Sequence, residues 1–75
     1  MNNQRRKELK HIMNELSALK DELEILKDEE ESAYENLPES LQESDRGQAM
    51  QEAMESIETA MENIEEAINE IDLIL

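Results

Sequence analysis

The chain has no cysteine, tryptophan or phenylalanine, and only one each of proline, glycine, histidine and tyrosine. Without cysteine there is no disulfide frame, no thiolate nucleophile and no thiolate metal ligand, which fits a reducing cytoplasm. No Ser–His–Asp set, Cys–His pair, paired buried carboxylates or glycine-rich phosphate loop is present, and with one histidine and no evident pocket former the sequence predicts a protein that is not an enzyme and has no cofactor. Nor does any stretch reach the ~18 consecutive apolar residues of a membrane span. The basic opening NNQRRK leads into the amphipathic ELKHIMNELSALKDEL rather than an apolar signal core. The chain therefore reads as soluble, unprocessed and cytoplasmic, with its tail IDLIL as a last packed turn.

Positive charge is the next scarcity. Residues 1–27 carry six Lys/Arg against five acids, whereas residues 28–75 carry Arg46 alone against sixteen acids, within a net charge of −14. Such a field repels nucleic-acid backbones, whose binding needs cations to displace counterions. It favours basic protein surfaces instead.

What is present is helical. Charged residues make up 37% of the chain and aromatics 1%, a composition of long helices and coiled coils. Seventy-five residues bound a single small domain, 1–75, whose modest core invites oligomerisation. From Leu9 the apolar positions run Leu9, Ile12, Leu16, Leu19, Leu23, Leu26, then Ala33 and Leu37, a heptad seam predicting a helix over about 4–36. In the second half the sevens QAMQEAM, ESIETAM, ENIEEAI and NEIDLIL align Met50, Ile57, Ile64 and Ile71 in one column. Met54, Met61, Ile68 and Leu75 fill another, and Ala53, Ala60 and Ala67 a third. This predicts a helix over about 46–75 with a broad apolar face.

Between them, over 37–45, Pro38 cannot continue a helix and Ser44 or Asp45 can cap the next one. PESLQE suits one extra helical turn, with Leu41 tucked over the helix ends. The expected fold is all-α: an antiparallel two-helix hairpin, coiled-coil-like, with the basic third of the chain along its acidic third. Two such hairpins pair as a homodimeric four-helix bundle.

Several residues invite a sharper reading. Gly47 in a first helical turn costs up to ~1 kcal/mol relative to Ala. With Arg46 and Tyr34 it could form an anion site at a helix N-terminus, although close packing against Tyr34 or Leu41 explains a glycine more simply. Arg46 can pair with Glu30, Glu35 or Glu43, within the chain or across a dimer, and Asp45 lies beside it. Glu30 occupies a seam position opposite Ala53, where one polar residue can set register or oligomeric state. DEEE at 28–31 lacks the loop spacing of a calcium site. Glu8 to His11 matches a di-iron helix step, but His11 lies off the seam, so no metal is expected.

On the stretch YENLPESLQESDRGQAM, followed by AMESIETAMENIEEAI, the chain resembles short uncharacterised acidic helical-hairpin proteins of phages and prophages in Gram-positive bacteria. That resemblance implies a mobile-element origin and a small hairpin acting in the host cytoplasm. The leading functional expectation is a non-enzymatic acidic protein that binds a basic surface on a host protein of nuclease or defence type, inhibiting or adapting it. Sponge-like capture of a small anionic nucleotide at the hairpin ends, or a purely structural bundle, are the alternatives.

Overall fold

In the computed structural model, which describes residues 1–75, Asn2 opens the first helix by accepting the Arg5 backbone N–H on its side-chain oxygen at 2.8 Å. Helix α1 then runs Asn3–Glu35, with neither glycine nor proline inside it. It ends because Pro38 follows. Leu37 N closes a tight turn onto Tyr34 O at 3.1 Å, and the chain turns away in extended geometry at Pro38. Pro38 starts α2 (Glu39–Gln42), a single turn, and Ser44 precedes α3 (Asp45–Leu73).

The helical turn expected within PESLQE is therefore present, with two differences. Leu41 stays 40% exposed rather than tucked over the helix ends, because one turn is too short to fold it back onto α1. The Ser44 hydroxyl donates to Leu41 O and caps no N–H of α3, while the Asp45 carboxylate occupies that helix's first turn, where the dipole favours it.

α3 returns along α1, giving an all-helical antiparallel pair 58 Å long and 15 by 11 Å across. Three contacts fix one register: Lys20 with Glu65, Lys27 with Glu58, and Tyr34 with Gln51. Each step of seven down α1 is matched by a step of seven along α3.

The seam inside the chain is not quite the expected one. α1 turns Leu9, Met13, Leu16, Lys20, Leu23, Lys27, Glu30 and Tyr34 toward α3, and these are half-buried, as is Leu37 just beyond its end. Ile12, Leu19 and Leu26, three of the eight residues of the expected seam, remain 43%, 51% and 53% exposed. One neighbouring helix can cover only one row and its flank, and the flank that closes is the one where lysines reach glutamates. From α3, Met50, Met54, Ile57, Met61, Ile64, Ile68 and Ile71 face inward, yet only Met61 and Gly47 are buried. Two helices enclose almost no dry core.

Candidate functional site

At the apex α1 leaves carbonyls with no helical partner. The Gln42 side chain supplies the donor: its Nε2 donates to Leu37 O at 3.0 Å and Tyr34 O at 3.3 Å. This use of Gln42 was not foreseen. The signal available was a long amide donor within reach of a helix end that carries no basic residue in its last turn.

Gly47 is one of the two buried residues, and the reason is contact. A Cβ there would lie 2.0 Å from Gln42 O and 2.7 Å from Leu41 O, both backbone atoms. The carbonyls that end α2 lie directly on the first turn of α3, and only hydrogen leaves room for them. The partner against Gly47 is thus the backbone of Leu41 and Gln42 rather than the Tyr34 ring.

The other apex residues are spread out. Tyr34 is half-buried, and its hydroxyl accepts from Gln51 Nε2 at 2.7 Å rather than engaging Glu30. Glu30 is half-buried; three residues past Lys27, it falls level with Glu55, two residues from Ala53. Glu35, Glu43 and Asp45 are exposed. Arg46 is exposed and pairs with no carboxylate of its own chain, so the expected bond to Glu30, Glu35 or Glu43 is absent.

Ion pairs gather along one side of the hairpin. Lys20 Nζ lies 2.8 Å from Glu65 Oε2, and Lys27 bonds Glu58 in the same way one heptad on. Hydrogen bonding to Glu65 raises the Lys20 pKa above its ordinary value, partial desolvation works against that rise, and the Coulomb fields of Glu65, Glu24 and Asp21 add to it. Glu58 raises Lys27 likewise, with Asp28 and Glu31 contributing at longer range. On the solvent face His11 Nε2 lies 3.0 Å from Glu15. No group of three His, Asp or Glu is arranged to hold a metal ion, and no buried side-chain polar atom lacks a partner.

The opposite side has another character. Heptad geometry places Ile12, Leu19 and Leu26 there from α1 and Ala53, Ala60 and Ala67 from α3. No hydrogen bond or ion pair crosses between the helices on this side. Depressions are shallow; one lies at the open end among Arg6, Lys7, Lys10 and Asp72. No helix is long and apolar enough to cross a membrane.

Comparison with family profiles, with characterised proteins and with solved structures gives no match.

Proposed function

We propose that the chain is a non-enzymatic interaction module: a homodimeric four-helix bundle that docks its acidic outer face on a basic protein surface. The observation that carries this reading is the outward row of α3. Glu52, Glu55, Glu62 and Glu66 are all exposed and none is neutralised by a cation of the chain. Carboxylates at helical spacing along a stiff rod present a regular array of negative charge, the pattern a surface evolved for phosphates would accept. With the phage-protein resemblance, the target class is a host nuclease or defence protein, inhibited or adapted by occupation of its basic groove.

Nucleotide capture at the apex draws on the unpaired Arg46, but the carbonyl oxygens of Leu41 and Gln42 cover Gly47 and would face an anion with lone pairs. The acidic-surface reading is therefore preferred.

The test is capture from host lysate with the native chain and with a variant carrying Glu55→Gln, Glu62→Gln and Glu66→Gln, followed by titration of the purified complex across ionic strength. Affinity should fall as salt rises and should be weaker for the variant at every salt. A complex whose affinity is flat or increasing with salt, or indifferent to the three substitutions, defeats the proposal.

A further inference from the structure

We infer that a second copy of the chain covers the leucine–alanine side, with α1 of each copy lying antiparallel on α3 of the other and both apexes at the same end. This rests on the homodimer reading above and specifies its face and its orientation.

Size comes first. The side measures about 58 by 15 Å, a footprint on the order of 800 Å² per copy, which is what a stable interface of standard size buries on each partner. The rows on it are Ile12, Leu19 and Leu26 at 43–53% exposure, beside the half-buried Ala53, Ala60 and Ala67.

Shape then chooses the partner row. If the register seen within the hairpin repeats between copies, Leu19 comes within one residue of the partner's Ala67 and Leu26 within one residue of the partner's Ala60. Large side chains then meet small ones on both sides of the two-fold axis, and the two helix pairs sit at equal spacing. With the apexes at opposite ends, leucine row would stack on leucine row and alanine row on alanine row. One pair of helices would be held apart while the other had to close tightly.

Flanking charge points the same way. Beside the leucine row α1 carries Glu8, Glu15, Glu22 and Glu29; beside the alanine row α3 carries Ala49, Ser56, Asn63 and Glu70. Laying α1 on α3 sets Glu22 and Glu29 against the partner's Asn63 and Ser56, leaving Glu15 and the partner's Glu70 as the one like-charged meeting. Laying α1 on α1 sets glutamate row against glutamate row. The opposing effect is that residues 28–57, ten acids against Arg46, come together at the shared apex end. Exposed charges more than ~8–10 Å apart are largely screened at physiological salt, so contacts within the interface outweigh that repulsion. Arg46 also falls in the row of Ala53 and Ala60, which brings the unpaired cation to the interface side at this acidic end.

Absence of cysteine makes a clean test. Ser40, exposed at the apex, is replaced by cysteine and spin-labelled, and the mass of the labelled chain is measured by light scattering. The expected result is a two-chain mass with labels roughly 15–30 Å apart, about two interhelical spacings plus the label linkers. A second variant, Leu19→Lys with Leu26→Lys, should raise the self-association Kd by about 100-fold or more, because buried charges would enter the face twice. A dimer whose labels lie apart by about the length of the rod overturns the orientation alone. A short label distance with self-association unchanged by the two lysines overturns the face. A one-chain mass at every concentration overturns the homodimer reading itself.

Discussion

Along one side of the hairpin Lys20, Lys27 and Tyr34 reach across to Glu65, Glu58 and Gln51; along the other Ile12, Leu19 and Leu26 keep about half of their surface exposed. The two sides are written in the same heptads, one residue apart along α1 and so about 100° apart around it. Their difference separates two tasks. Polar contacts, which tolerate water, hold the helices in register within one chain. Apolar surface, which gains by excluding water, is left where only another molecule can cover it.

The sharpest challenge to this division is Met61→Ala, which removes the one buried apolar side chain, set on the closed side near Lys20 and Glu65. A loss of about 2–4 kcal/mol in chemical denaturation is expected at every protein concentration. Gly47→Ala comes next, because its methyl group would collide with the Gln42 carbonyl. A loss of about 1–3 kcal/mol is expected, together with shifted amide signals from α2 if the apex sets which row of α1 faces α3. Gln42→Ala, which strips the donor from the end of α1, should lower stability by ~1 kcal/mol and speed amide exchange at the adjoining turn.

Leu19→Ala tests the open side. In a dilute sample, where Leu19 is half-exposed, its effect should stay under ~1 kcal/mol, growing as protein concentration rises. A concentration-independent loss as large as that of Met61→Ala would erase the distinction between the sides. The smallest effect is that of pH. The Lys20 and Lys27 pKa values are raised above 10.5 in the folded chain, so their stabilisation is fully present below that value and is lost as pH climbs through the folded values. Thermal melts at pH 9 and above pH 11 should show a modest drop that Lys20→Met with Lys27→Met removes.

Much of the architecture was legible because it depends on local rules. Pro38 had to end a helix, the heptads of the second half had to form one, and a short connection had to return antiparallel. Less of the apex could be read. A glycine's packing reason is visible only when its neighbour is known, and the neighbour here is a carbonyl oxygen of α2. The donor role of Gln42 depends in the same way on where Leu37 O comes to lie. Ser44 looked like a cap for α3, but its hydroxyl is drawn back to Leu41 O by the turn that precedes it.

Periodicity determined by itself that both long segments are amphipathic helices, and composition determined the acidic field around them; each is a property of residues near one another in the chain. Which of two adjacent rows on α1 turns inward was decided only when α3 came to rest against it. Rotation of a helix about its own axis changes none of its internal hydrogen bonds, so only contacts with a neighbour can choose it. Here the row of Lys20, Lys27 and Tyr34 faces α3, and the row of Ile12, Leu19 and Leu26 is left toward solvent.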